Sequence, residues 1–262
     1  MPSAEGGRTP FKPGAHDVTE KKRRIGFVGL PPEDVLAPRR SETLIDLDNL
    51  VEGVSLRSES ALPRTTCRII RRVYDNALAL DLDEIVIDEG CGKCDAARGL
   101  AELLADTLSI PVIRTQNDNR VGAGTPISDS DLPLKQKMEL ILDGIVNPTR
   151  PVPQVGDLRY RAAFWGVPAA DFNIYDLFPD GTQVLGWTRC LENRTPADWE
   201  LEMLVPEGVP TVFFSQTFCA KGIAAQHLAR KHNGLCVDVD GVMPQPVRAK
   251  IEAFLRFRGV WG

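Results

Sequence analysis

The sequence predicts an α/β protein of two lobes with mostly parallel sheets and a cleft between the lobes. Three observations carry that expectation. Short apolar strands alternate with amphipathic helices along most of the chain, the pattern of parallel strands covered by helices on both faces. A proline-rich stretch, Asn147-Pro148-Thr149-Arg150-Pro151-Val152-Pro153, interrupts that alternation once, after which it restarts. The length, 262 residues, suits one large domain or two small ones.

Residues 1–23 mix Gly, Pro, Ser and charge without period and read as a tail. The run Lys21-Lys22-Arg23-Arg24 reads as a solvated flank before the first strand. The N-terminal lobe then covers 24–150. Arg24 to Leu30 is a β-type run stopped by Pro31-Pro32. Thr65 to Leu80 has Ile69, Ile70, Val73 and Ala77 on one helical face. Asp83-Glu84-Ile85-Val86-Ile87 is a buried strand, followed by a helix from Asp95 to about Leu108. Ile110 to Arg114 is the next strand, and 117–131 is a polar loop. Leu134, Met138, Ile141, Leu142 and Ile145 mark an amphipathic helix. The C-terminal lobe covers 151–262. Its predicted strands are 161–168, 183–187, 211–215 and 235–239; its predicted helices are 171–177, 196–204, 220–231 and 246–257. The strand RAAFWGVP echoes the first strand, a weak sign of internal duplication.

Composition narrows the function classes. A hydrophobic fraction of 43% and a charged fraction of 26% fit an ordinary globular protein. No apolar run approaches the roughly 18 residues of a membrane span. A net charge of −5 argues against a nucleic-acid partner. The N-terminus lacks an apolar h-region, so the expected location is cytoplasmic. In a reducing compartment six cysteines are metal ligands, redox groups or core thiols rather than a disulfide framework. Three histidines argue against a histidine-rich zinc site. No GxxxxGK[ST], GxGxxG or GxSxG is present, so direct ATP, NAD or serine-hydrolase chemistry is not expected.

The candidate site lies at strand ends, where ligands bind in open α/β sheets. Cys91 and Cys94 follow the strand 83–87, Cys190 follows 183–187, and Cys219 follows 211–215. Cys94 and Cys219 also begin helices, whose free N–H groups favour thiolate over thiol. Such thiolates converging on one cleft suit a soft metal centre, an iron–sulfur cluster or tetrahedral zinc. Cys67, inside a predicted helix, and Cys236, within a strand, read as small buried hydrophobes. Asp88 and Glu89 end the strand beside the cysteines and are candidate acid–base groups. Gln116, Asn117, Asn119 and Arg120 form a polar loop that could face a substrate, and Trp165, Trp187, Phe213 and Phe214 read as core.

The run DEIVIDEGCGKCDAARGLAELL resembles the strand–Cys-Asp–helix segment of the 2-hydroxyacyl-CoA dehydratase and benzoyl-CoA reductase family. RAAFWGVP, DGTQVLGWTRC and VPTVFFSQTFC continue the resemblance, which covers roughly 65–240. It implies two Rossmann-like lobes and a [4Fe–4S] cluster held by Cys94, Cys190 and Cys219, with Cys91 a fourth ligand or a neighbour. It also implies low-potential redox or reductive lyase chemistry on a small molecule, for instance a thioester, and a redox or activator protein that supplies electrons. The alternatives are a zinc-thiolate or CxxC thiol-redox protein, and a carrier that assembles a metal cofactor. Monomer and oligomer are both open, and neither nucleic acid nor membrane is an expected partner.

Overall fold

In the computed structural model the described residues are 21–51, 53–54, 61–90, 93–148 and 160–261. The first lobe contains β1 (Arg24–Val28), a short helix α1 (Glu33–Leu36), β2 (Thr43–Asp46), α2 (Arg68–Ala79), β3 (Glu84–Asp88), α3 (Asp95–Thr107) and β4 (Val112–Thr115). Next come α4 (Leu134–Val146), β5 (Ala163–Gly166), a 3-10 turn over Phe172–Leu177, β6 (Gln183–Leu185), α5 (Trp187–Asn193) and α6 (Trp199–Met203). The chain closes with β7 (Thr211–Ser215), α7 (Lys221–Lys231), β8 (Leu235–Asp238) and α8 (Gln245–Phe257).

The strands make two four-stranded sheets, ordered β2-β1-β3-β4 and β6-β5-β7-β8, and every described pairing is parallel. Both sheets therefore share one order, in which the chain steps to one side of its first strand and then to the other. The inner strands explain why the alternation was visible in sequence: β3 and β7 are buried at all five positions. β2 has no counterpart among the strands expected from the sequence. Its residues TLID lie on a half-exposed edge, so no run of buried apolar side chains marks it.

The lobes share a core. Ile25, Phe27 and Val86 from the first sheet belong to one buried cluster with Met138 and Ile141 of α4 and with Phe164, Val212 and Phe214 of the second sheet. Helix α4 packs mainly on the second lobe, against α5 and the 3-10 turn. Residues 117–123 also link the lobes: Asn117 Nδ2 donates to Leu30 O at 2.9 Å, and Asn119 Nδ2 donates to Arg194 O at 2.7 Å. No helix among the described residues is long and apolar enough to cross a membrane.

Candidate functional site

Each sheet changes direction between its first and third strands, and a crevice opens at the carboxyl ends there. The two crevices face each other. Gly29 and Asp88 from β1 and β3, and Val167, Pro168 and Gln216 from β5 and β7, line a single cavity of about 880 Å³. Much of its wall is apolar: Ile69, Leu142, Ile145, Leu191, Met203 and Trp187 contribute.

Among the described residues three cysteines line this cavity: Cys67, Cys94 and Cys219. Cys67 is the N-cap of α2 and Cys94 the N-cap of α3, while Cys219 stands two residues before α7. The three lie within electrostatic reach of one another. Burial raises the Cys67 thiol, opposed by the first-turn amides of Ile70 and Ile69. Burial likewise pushes the Cys219 thiol up to about 11, opposed by the Lys221 amide. Both groups are thus held as thiols until something of opposite charge arrives. Among the described residues no three His, Cys, Asp or Glu side chains stand close enough together to ligate one metal ion.

Cys190 and Cys236 lie elsewhere. Cys190 is placed away from the cavity lining, fully buried, with its thiol 3.6 Å from Asp198 O. The reason is local: Gly186, at φ +74°, ends the strand early, so Cys190 falls on the inward face of α5 instead of at a strand end. Burial pushes its thiol up to about 12. Cys67, expected inside a helix, begins that helix instead, because 61–66 form turns and α2 starts at Arg68. Cys236 is exposed on the edge strand β8 rather than buried. Cys91 lies outside the described residues.

The two acid–base candidates separate. Asp88 lines the cavity; its Oδ1 accepts the Gly90 and Asn117 amides at 3.1 and 3.0 Å, and its Oδ2 meets Lys93 Nζ at 2.7 Å. Glu89 points the other way and accepts from Arg114 through both oxygens, and the same guanidinium reaches Glu102. The polar loop 116–120 joins the lobes rather than lining the cavity. Trp187, expected in the core, lines the cavity instead, with Lys93 and Lys221 over its ring. Lys221 is balanced by the buried Glu202, at 2.6 and 2.7 Å. Trp165, Phe213 and Phe214 are core.

Asp46 and Asp48, not among the site residues expected from the sequence, also line the cavity at the end of β2. Their signal was missing with that of β2 itself. Gly29, at φ +73°, turns its amide onto Asp48 Oδ2 at 2.7 Å, and a side chain at Gly29 would meet Lys93 Nζ at 3.3 Å.

The chain matches no family model, and no curated protein matches it.

Proposed function

We propose that the chain is a thiolate-ligated metal protein, an iron–sulfur protein first of all, whose centre occupies the interlobe cavity on Cys67, Cys94 and Cys219. The carrying observation is that three thiols at or beside three helix starts face one cavity. The resemblance to the 2-hydroxyacyl-CoA dehydratase and benzoyl-CoA reductase family favours a thiolate-held cluster on Cys94 and Cys219; its third ligand, Cys190, lies off the cavity, and Cys67 is this proposal's own replacement. A [4Fe–4S] cluster bound there would supply low-potential electron transfer or reductive lyase chemistry on a small, cytoplasmic substrate such as a thioester.

The chain's own residues would do the rest. Amides at the starts of α2, α3 and α7 offer positive potential to bound sulfur. Lys93 and Lys221, both beside Trp187, place two ammonium groups on the cavity wall. The apolar wall excludes water and strengthens those interactions. A redox or activator protein would deliver the electrons.

Anaerobically purified protein tests this. The expected result is brown protein containing iron and acid-labile sulfide. Cys67→Ser, Cys94→Ser and Cys219→Ser should each remove the colour, and Cys190→Ser should keep it. Colourless protein with stoichiometric zinc would replace the cluster with a zinc-thiolate site. Loss of colour in Cys190→Ser alone, with the Cys67 variant brown and folded, would sink the ligand set.

A further inference from the structure

We propose that Phe218 is a ligand-gripping residue: held in a costly backbone conformation at the mouth of the interlobe cavity, it meets, together with Trp199 and Ile223, the apolar body of a small-molecule ligand. The inference concerns the cavity and does not depend on the metal assigned to it.

Four residues other than glycine have left-handed backbone among the described residues: Arg194, Ala197, Phe218 and Asn233. Asn233 is of a type that tolerates this region, and Ala197 has only a methyl group to accommodate. Arg194 ends α5, and its guanidinium donates to Gly144 O at 2.7 Å. Phe218, at φ +63°, has no such account. Cys219 N donates to Gln216 O at 2.9 Å, so Phe218 is the third residue of a tight turn, where a positive φ ordinarily selects glycine. The turn is anchored by its other side chains. Gln216 Nε2 donates to Pro168 O at 2.9 Å, and Thr217 Oγ1 donates to Asp238 Oδ1 at 2.8 Å.

Packing within the chain does not offset the strain. Phe218 is 59% exposed and joins no buried apolar cluster among the described residues. It nevertheless lines the cavity, as do Trp199, 58% exposed, and Ile223, 81% exposed. Residues that line a cavity and also face solvent form its rim. The second lobe alone brings these three to it. Lys221 Nζ meets the Glu202 carboxylate at 2.6 and 2.7 Å, which ties α6, where Trp199 precedes Glu202 on the same short helix, to α7, which carries Ile223.

The occupant follows from the shape and chemistry behind the rim. The cavity, about 880 Å³, is of the size that takes a small molecule, and its wall continues apolar through Met203, Leu191 and Ile145. The ammonium groups of Lys93 and Lys221 are each paired with a carboxylate, so this part of the site calls for no charge on the ligand. An apolar body entering here covers the Phe218 ring and supplies the contacts that the chain itself does not. Backbone strain kept at a binding position is offset when the ligand is in place.

Fluorescence titration of folded, metal-free protein with N-phenyl-1-naphthylamine, a neutral apolar dye, tests the ring, beside thermal unfolding of each variant. The unaltered protein should bind the dye. Phe218→Gly should weaken binding about tenfold and raise the unfolding temperature, since glycine adopts the left-handed turn without strain. Phe218→Asn should weaken binding as much with no fall in unfolding temperature. Phe218→Leu should keep most of the binding and gain no stability. Val121→Ala, at an exposed apolar residue off the cavity, should change neither. Folded protein that takes up no dye, or binding unchanged in Phe218→Gly, would overturn the proposal. A lowered unfolding temperature in Phe218→Gly would overturn it too, because the ring would then be holding the fold. So would self-association that Phe218→Gly abolishes while the dye still binds, since the rim would then join copies of the chain. Colourless protein that binds the dye through Phe218 would sink the metal reading alone.

Discussion

Lys93, in the first lobe, holds its ammonium group 4.5 Å from the ring centroid of Trp187, in the second. The same ammonium meets Asp88, whose side chain is wholly buried, at 2.7 Å. One lysine thus pairs with a carboxylate of the first sheet and with an aromatic face at the start of α5 in the second lobe. Lys93→Met should cost about 3–5 kcal/mol, because it leaves Asp88 charged and buried without its partner. Adding Asp88→Asn should recover part of the loss. Trp187→Leu should cost less, about 1–2 kcal/mol, from the cation–π contact and packing. Urea unfolding of the three variants beside the unaltered protein measures the differences.

Thiol reactivity in metal-free protein should separate the cysteines by environment. Cys94 is exposed and should be alkylated first at mildly alkaline pH. Cys219, pushed up to about 11, should react faster as pH climbs towards that value. Cys190, fully buried and pushed up to about 12, should stay unmodified until the chain unfolds. Peptide mapping by mass spectrometry gives the order. Labelling of Cys190 ahead of Cys219 in folded protein would contradict the placement of α5.

Glu89 should prove structural. Its carboxylate is occupied by Arg114 and faces away from the cavity. Glu89→Gln should leave metal content and any redox signal unchanged and lower stability by about 1–3 kcal/mol. Metal analysis beside thermal unfolding distinguishes this from a catalytic role.

Lys137 of α4 gives a pH signature unrelated to the cavity. It is fully buried and donates to Ser128 O, Ser130 O and Thr182 O at 3.2, 2.5 and 2.7 Å. Burial holds its ammonium down to about 8, against an ordinary 10.5. Between those values the unfolded chain binds more protons than the folded one, so stability should rise with pH across that window. The limit of the rise is about 3 kcal/mol. Lys137→Met should abolish this rise and cost about 1–3 kcal/mol at neutral pH, since three carbonyls lose their donor. Denaturation midpoints from pH 7 to 10 check both.

What sequence could carry was mostly the buried part. EIVID and TVFFS are apolar because both faces of each strand are covered, so they stand out in any window. TLID sits on an edge and has no such mark, and the carboxyls at its end went unread with it. The cysteine positions turned on single-residue backbone choices. Gly186 ends β6 two residues before the apolar run does, which carries Cys190 into a helix. Turns over 61–66 delay α2, which moves Cys67 from a helix interior to a helix start. Cys67, Cys94 and Cys219 do share one local signature, a cysteine just before a helical run, and that signature would have grouped them.

The buried cluster shared by the two sheets has a consequence for how the molecule holds together. Ile25, Phe27 and Val86 meet Phe164, Val212 and Phe214 in one apolar mass, with α4 between them. Separating the halves would expose that mass to water, at roughly 25 cal/mol for each Å² uncovered. The peptide bonds across the proline-rich connection add nothing comparable. Cohesion between the halves is noncovalent, so two fragments divided there should reassociate when mixed, and each alone should be prone to aggregate.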